Sequence, residues 1–300
     1  MPIFLSQRTR PASTFRDAVA VITGAGSGIG RHLALQLAGH GAILALNDNN
    51  ADRLGETAAE IERLGGKVLP RVYDVGSREE TQAFADEVER TFGRVDVVIN
   101  NAGVALGVMK IEDVAPTDFE WIIRTNLWGV IHGTMAFLPL LRNRPQAHLV
   151  NLCSSFGLLA VPRQVAYCTA KFAVRGFTEA LRLELAGSGL HVTLVCPSQV
   201  RTNIVRDGRH TSEAARDVQS RVFETRFSKV TAEQAAHAIL KGVAARRRRV
   251  FIGDARIIDF VSRFLPYGII LRGAQREIKM LDQLPPPERT LAAPIAGQGS

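Results

Sequence analysis

The chain has 300 residues, of which 46% are hydrophobic and 22% are charged, and its formal net charge is +8 at pH 7. This balance is typical of a globular protein and excludes a disordered or fibrous one, and no apolar run reaches the ~18 residues of a membrane-spanning helix. No nucleic-acid motif accompanies the basic excess, and its run at residues 246–249 suits the end of a helix, whose dipole favours cations. We therefore expect no nucleic-acid partner.

Strands and helices are predicted to alternate along most of the chain. Several strands are continuous apolar runs, which is expected when helices cover both faces of a sheet. Strand–helix–strand units in series predict an α/β fold with a doubly wound parallel sheet. The predicted strands are residues 18–23, 42–47, 67–73, 95–100, 148–153, 191–196 and 249–253, and the predicted helices end at Leu37 or span 51–64, 77–92, 118–141, 167–185 and 232–244.

The predicted domain organisation has one large unit and two extensions. Residues 1–15 form an N-terminal extension, too short in its apolar part for a secretory signal. Residues 16–253 form one domain, with a lid over the substrate at about 203–230. Residues 254–300 form an apolar helical extension and a flexible tail. For the apolar stretch 257–271, subunit packing or pocket covering is favoured over association with a membrane surface.

Cysteine usage favours a reducing compartment. The chain has three cysteines, Cys153, Cys168 and Cys196. They are too few and too scattered for a disulfide framework or a metal site. We expect a cytoplasmic protein without a bound metal.

A glycine-rich turn joins the first predicted strand to the first helix. The sequence Thr23-Gly-Ala-Gly-Ser-Gly-Ile-Gly30 places glycines at 24, 28 and 30. Glycine lets the backbone turn tightly and approach a pyrophosphate, whose charge is met by the amides at the helix N-terminus. The common G-x-G-x-x-G fingerprint is absent, since Ile29 occupies its last glycine position. The flanking strand and helix nevertheless favour a dinucleotide site.

Asp48 follows the second predicted strand. A carboxylate there can accept hydrogen bonds from the hydroxyls of the adenosine ribose, and it would repel a 2′-phosphate. Neither Asn47 nor Asn49 offers a compensating cation, so NAD is favoured over NADP. The alternative is that Asp48 only caps the following helix.

Tyr167 and Lys171 are one helical turn apart, so their side chains share a face. A free tyrosine is only about 0.1% ionised at pH 7. An ammonium group at ~4 Å, in an effective dielectric of ~20, is worth up to ~4 kcal/mol, which would lower the pKa of the phenol by roughly three units. A phenol near neutrality is a useful general acid or base. The pattern also occurs by chance on helix surfaces.

Two further polar residues extend this pair. Ser154 ends the fifth predicted strand and can donate a hydrogen bond to a substrate oxygen, although a serine there also suits a turn. Asn126 lies inside a predicted helix, where asparagine is an indifferent choice and needs a polar partner or solvent.

Because these motifs follow one another in a fixed order along the chain, the sequence resembles the short-chain dehydrogenase/reductase family, in its single-domain form, over residues 16–253. The resemblance implies a Rossmann-like sheet of seven strands, an NAD-dependent alcohol dehydrogenase or ketoreductase activity, and a homodimer or homotetramer built on the long helices. The motifs that carry the resemblance are the glycine turn, Asp48, Asp74-Val75, Asn100-Asn-Ala-Gly103, Asn126, Ser154, Tyr167-Cys-Thr-Ala-Lys171 and the segment from Pro197 to Thr202.

The resemblance also implies a role for each matched residue. Tyr167 would be the acid or base, Lys171 would lower its pKa and bind the nicotinamide ribose, Ser154 would fix the substrate oxygen, and Asn126 would hold a water in a proton relay. The implied cofactor residues are Gly24, Ser27, Gly28, Ile29, Gly30, Asp48, Asp74, Val75, Asn101, Ala102, Gly103, Tyr167, Lys171, Pro197, Val200 and Thr202. One departure is Pro197-Ser198, where the family has Pro-Gly.

The substrate is less constrained by the sequence. Leu158, Val161 and Gln164, between Ser154 and Tyr167, are candidate pocket residues, and their apolar character favours a hydrophobic alcohol or ketone. Two alternatives remain open. One is epimerisation or dehydration of a nucleotide sugar, although the glycine spacing and the C-terminal length do not favour it. The other is a non-catalytic NAD-binding protein, which would have no chemical reason to keep all four polar residues.

Overall fold

A computed structural model describes residues 14–210, 212–223 and 229–281. The predicted flexible tail, most of the N-terminal extension and part of the predicted lid lie outside the described residues.

Seven parallel strands form the central sheet, in the order β3-β2-β1-β4-β5-β6-β9. This confirms the predicted doubly wound α/β architecture. Two further strands, β7 and β8, pair with each other in a separate ribbon that the sequence did not predict. The strands are β1 (Val19–Thr23), β2 (Ile43–Asp48), β3 (Lys67–Val72), β4 (Val97–Asn100), β5 (Ala147–Leu152), β6 (Leu190–Cys196), β7 (Val200–Arg201), β8 (Val230–Thr231) and β9 (Arg249–Phe251).

Ten α-helices lie within the described residues, and the five with a predicted start begin within two residues of it. Side-chain caps fix several of these starts: the Asn50 and Ser77 side chains accept hydrogen bonds from the amides of Arg53 and Glu80. The helices are α1 (Gly28–Gly39), α2 (Ala51–Arg63), α3 (Arg78–Phe92), α4 (Pro116–Ile123), α5 (Gly129–Arg142), α6 (Val165–Glu184), α7 (Glu213–Val222), α8 (Ala232–Ala244), α9 (Ala255–Phe264) and α10 (Tyr267–Leu281).

The predicted long helix over 118–141 is present but irregular, since helical backbone runs from Pro116 to Arg142 with one π-helical turn inside it. The chain forms α4, then a π-helical turn over Arg124–Trp128, then α5. Such turns insert an extra residue into the helix and are frequent at functional sites. Asn126 lies within this turn.

Both faces of the sheet are buried, which explains the continuous apolar strands. In β1, Ala20 and Ile22 pack in one hydrophobic cluster with residues of α1 and α8, whereas Val19 and Val21 pack in another with residues of α3 and α5. Alternate residues of a strand point to opposite faces, so both sets must be apolar.

A buried polar network links the middle strands to the helices. The Asn100 amide donates to Asn151 Oδ1 at 2.9 Å and to Thr134 Oγ1 at 3.2 Å, and Asn151 Nδ2 donates to Thr178 Oγ1 at 3.0 Å. Buried hydrogen bonds between side chains of this kind tie neighbouring elements of a core together. The carboxyl ends of β4 and β5 are therefore held in register with α5 and α6.

Candidate active site

The glycine turn lies at the carboxyl edge of the sheet, between β1 and α1. Gly24 and Gly28 have φ of 67° and 53°, a region that suits glycine. A Cβ on Gly30 would lie 1.9 Å from the Gly24 carbonyl oxygen. The turn is therefore closed tightly on itself, and it cannot hold this shape with a side chain at position 30.

Thr23 and Asn101 hold the turn against the end of β4. Thr23 Oγ1 accepts hydrogen bonds from the amides of Asn101 and Ala102, at 3.0 and 3.1 Å. Asn101 Nδ2 donates to the carbonyls of Thr23 and Gly24, at 2.9 and 3.0 Å. Thr23 has a structural role in this site that its place in the glycine motif did not indicate. The signal that could have identified this role is the hydroxyl group of Thr23 at the end of β1, the strand that pairs with β4.

Asp48 lies at the rim of the same turn. Its carboxylate accepts hydrogen bonds from the amide of Gly26 at 2.8 Å and from that of Asn50 at 2.9 Å. The N-cap of α2 is Asn50, so capping that helix is not the role of Asp48. Two arginines that follow the glycine turn and Asp48 along the chain have acidic partners: Arg31 pairs with Glu60, and Arg53 pairs with Asp207.

Four further candidate cofactor residues lie in the glycine turn or in the loop after β3. Ser27 is the N-cap of α1, with extended backbone and no side-chain cap bond. Ile29 packs against the core. Asp74 accepts from the Gly76 amide at 2.8 Å and forms an ion pair with Arg124. Val75 is 5% exposed, close to Gly129.

The segment after β6 reaches the glycine turn from the other side. The Pro197 carbonyl accepts from the Ser155 amide at 2.9 Å, and Val200 is buried. A Cβ on Gly28 would meet the Thr202 methyl group at 3.3 Å. Thr202 and Gly28 are thus neighbours, although they are far apart in the sequence.

Tyr167 and Lys171 lie on one face of α6, as predicted. Lys171 Nζ is 5.6 Å from the centre of the Tyr167 ring and donates to the Leu152 carbonyl at 3.1 Å. Ser154 Oγ accepts from the Phe156 amide at 3.2 Å, and the Phe156 ring packs edge-on against Tyr167 with 6.0 Å between centroids. The end of β5 and α6 therefore bring Ser154, Tyr167 and Lys171 together.

Burial shifts both titratable groups of this pair. It raises the pKa of the Tyr167 phenol above its ordinary value, and a hydrogen bond with Ser154 opposes the shift. It lowers the pKa of Lys171 to about 8. The direction for Tyr167 is opposite to the one expected from its spacing to Lys171, because the cost of burying a phenolate outweighs the effect of the nearby ammonium group.

Asn126 is fully buried and bonded to the backbone after β4. Its Oδ1 accepts from the Val104 amide at 2.9 Å and its Nδ2 donates to the Val104 carbonyl at 2.8 Å. A point beside Gly103, where a Cβ would stand, is 2.9 Å from Asn126 Oδ1 and 3.6 Å from Lys171 Nζ. Asn126 Oδ1 and Lys171 Nζ therefore both lie next to Gly103, in space that a larger side chain at this position would occupy.

The candidate substrate residues differ in position. Leu158 is 3% exposed and packs in a cluster with Cys153 and Val174, which favours a packing role. Val161 is half-buried, and Gln164 Nε2 donates to the Gly107 carbonyl at 3.4 Å.

The loop after β4 meets the predicted lid, a contact that the sequence did not indicate. The Gly107 amide donates to the Arg209 carbonyl at 2.8 Å, and the Val108 amide donates to Gln219 Oε1 at 3.0 Å. Arg209 also pairs with Asp118 at 2.7 Å, and its guanidinium lies 4.1 Å from the centre of the Trp121 ring.

Comparisons with known proteins agree with this geometry. A profile of the short chain dehydrogenase family matches residues 18–213. The chain is 43% identical over 256 residues to SadH, a presumed oxidoreductase of Mycobacterium tuberculosis, and this match covers 84% of the chain and 92% of SadH.

Solved structures show the same similarity. A short-chain dehydrogenase/reductase of Burkholderia phymatum in complex with NAD superposes with a TM-score of 0.73 at 29% identity, covering 93% of this chain and 99% of that one. An alcohol dehydrogenase of the archaeon Thermococcus sibiricus, complexed with 5-hydroxy-NADP, superposes with a TM-score of 0.68 at 26% identity, covering 78% and 95%. The chain belongs to the short-chain dehydrogenase/reductase family of oxidoreductases.

Proposed function

We propose that the protein interconverts a secondary alcohol and a ketone with NAD as the hydride carrier. The observation that carries this proposal is that Tyr167 lies between Lys171 and Ser154, while Lys171 and Asn126 both lie next to Gly103 in the loop after β4. A hydroxyl, a phenol, an ammonium group and an amide close to a turn that suits a dinucleotide are the groups needed for proton transfer coupled to hydride transfer.

The glycine turn fits the pyrophosphate of a dinucleotide. Its glycines close the backbone on itself and present the amides at the start of α1, and no acidic side chain caps that helix start. When bound, the nicotinamide ring supplies or accepts the hydride. Pro197, Val200 and Thr202 would hold the nicotinamide end of the cofactor, and Asp74 and Val75 would flank its adenine end.

Tyr167 would handle the proton at the substrate oxygen. Its raised pKa keeps the phenol protonated at neutral pH, which is the form needed to give a proton to a carbonyl that is being reduced. In the alcohol-oxidising direction the phenolate must form, and a charged Lys171 nearby favours that form. Ser154 would hold the substrate oxygen within reach of Tyr167, and Asn126 would help to pass the proton on through Lys171.

The Asp48 carboxylate beside the glycine turn supports NAD rather than NADP as the preferred cofactor. The Asp48 carboxylate would accept hydrogen bonds from the ribose hydroxyls and repel a 2′-phosphate. Arg31 and Arg53 could otherwise bind such a phosphate, and their ion pairs with Glu60 and Asp207 oppose this.

We expect a hydrophobic substrate beneath the lid. The segment that follows Thr202 crosses the loop after β4 near Gln164, and buried Leu106 and Met109 line that loop. The protein would act as a homodimer or homotetramer in the cytoplasm, with a small alcohol or ketone as its substrate.

The proposal is tested by screening the purified chain against cyclic, aryl and steroid ketones with deuterium-labelled NADH and NADPH side by side. Mass spectrometry should find one deuterium on the carbinol carbon of at least one product, with NADH the better donor. Calorimetric NAD binding without transfer to any ketone would support the non-catalytic alternative. Transfer with NADPH alone would overturn the cofactor assignment.

A further inference from the structure

The two C-terminal helices expose an unusual number of large apolar side chains. Phe260 is 61% exposed, Phe264 68% and Tyr267 75%. Exposed apolar patches of this kind mark interaction surfaces. The C-terminal apolar face consists of Ile257, Phe260, Phe264, Leu265, Tyr267, Ile269, Leu271 and Ile278.

Helix α9 is attached to the fold by its opposite face. Ala255 is fully buried and Ile258 packs against the same cluster, while Asp259 pairs with Arg249 of β9 at 3.1 Å. Phe260 and Phe264 are one turn apart with 4.8 Å between ring centroids, and they point away from this attachment. Among the described residues, the C-terminal apolar face therefore does not cover a pocket of its own chain, contrary to one of the two expectations favoured from sequence.

The same two helices carry an excess of positive charge. Their range of 255–281 contains five basic residues, Arg256, Arg263, Arg272, Arg276 and Lys279, against two acidic residues, Asp259 and Glu277. All five basic side chains are exposed. Asp259 is already paired with Arg249 and Arg263. Each of the two helices therefore exposes both large apolar and basic side chains.

We propose that the C-terminal apolar face binds the surface of an anionic lipid bilayer. Phenylalanine, tyrosine and aliphatic side chains would enter the boundary between headgroups and acyl chains, and the arginines would extend their apolar stems towards lipid phosphates. No helix among the described residues has the length and hydropathy needed to cross a bilayer. The helices would therefore lie in the plane of the surface.

Charge favours a lipid surface over a second copy of this chain. A two-fold contact through the C-terminal apolar face would bring five basic residues of one copy towards the same five of the other. Such juxtaposed like charges oppose association, whereas an anionic bilayer attracts them.

The test is co-sedimentation of the full chain with vesicles. One set contains phosphatidylglycerol mixed with phosphatidylcholine, and the other contains phosphatidylcholine alone. We expect at least ten-fold stronger partitioning onto the anionic set, weakened by salt. F260S/F264S should lower partitioning onto anionic vesicles at least ten-fold, because it removes two apolar anchors. R272E/R276E should remove the preference for anionic vesicles.

A matched control is L64S, which changes an apolar side chain that is 66% exposed at the end of α2, outside the C-terminal apolar face. It should partition like the wild type. Equal partitioning of the wild type and F260S/F264S, or no binding to anionic vesicles, overturns the proposal. Light scattering without lipid gives the competing outcome: a lower oligomer mass in F260S/F264S would assign this face to a subunit contact and overturn the lipid assignment.

Discussion

Lys171 Nζ lies 5.6 Å from the centre of the Tyr167 ring, and its hydrogen bond goes to the Leu152 carbonyl at the end of β5. The backbone of the central sheet therefore positions the lysine. This arrangement keeps the ammonium near the phenol while the phenolic oxygen remains close to Ser154. The same burial that fixes the pair also shifts both pKa values.

The lowered pKa of Lys171 predicts a pH dependence of stability. The pKa is about 8 in the folded chain and has its ordinary value near 10.5 in the unfolded chain. Between these values Lys171 binds more protons in the unfolded chain than in the folded one, so its contribution to the free energy of unfolding rises with pH across this window, by up to about 3 kcal/mol. K171M removes this rise. Denaturant titrations of the wild type and K171M from pH 7.5 to 10 measure the difference.

K241M is the control for that experiment, because Lys241 is exposed on α8. It should keep the wild-type slope. Parallel curves for the wild type and K171M would contradict the assigned shift.

The tight packing at Gly30 predicts that the glycine turn cannot accept a side chain at this position. In G30A the new Cβ would stand 1.9 Å from the Gly24 carbonyl, so the turn must open. We expect at least a ten-fold weaker affinity for NAD by calorimetry and a lower melting temperature. G39A lies at the end of the same helix, where a Cβ meets nothing within 4 Å. Normal NAD affinity in G39A and in G30A alike would show that the turn does not hold the cofactor.

Asp48 predicts the choice between the two cofactors. D48N keeps a side-chain oxygen for the Gly26 amide and removes the negative charge. The ratio of kcat/KM for NADP to that for NAD should rise at least ten-fold, because the repulsion of a 2′-phosphate is lost. Steady-state kinetics with both cofactors measure this ratio. D52N, at an exposed acidic residue in the first turn of α2, should leave it unchanged, and an unchanged ratio in D48N would argue against the assigned role.

The regular architecture follows from local patterns. Residues on both faces of β1 are apolar, and Asn50 and Ser77 cap the helices that follow β2 and β3, so strands and helix starts can be recognised in the sequence. Most members of the candidate site also follow strand ends, where a parallel sheet gathers its functional residues.

Features that depend on distant contacts could not be predicted in this way. The π-helical turn coincides with the pairing of Asn126 and the Val104 backbone, a contact between residues far apart in the chain. The raised pKa of Tyr167 depends on burial, which α6 alone does not determine. The sequence around Phe260 is apolar, and an apolar sequence does not tell whether its side chains are buried. Only the folded structure shows that the Phe260 side chain is exposed.

The most direct test of the central claim is the turnover of Y167F with deuterium-labelled NADH and the best ketone of the screen. We predict that kcat falls at least 100-fold, the usual scale of acid–base catalysis, while the affinity for NAD measured by calorimetry stays within about two-fold. Y267F, at a tyrosine that is 75% exposed, should turn over like the wild type. Transfer of deuterium by Y167F at a near wild-type rate would contradict the assignment of Tyr167 as the proton donor.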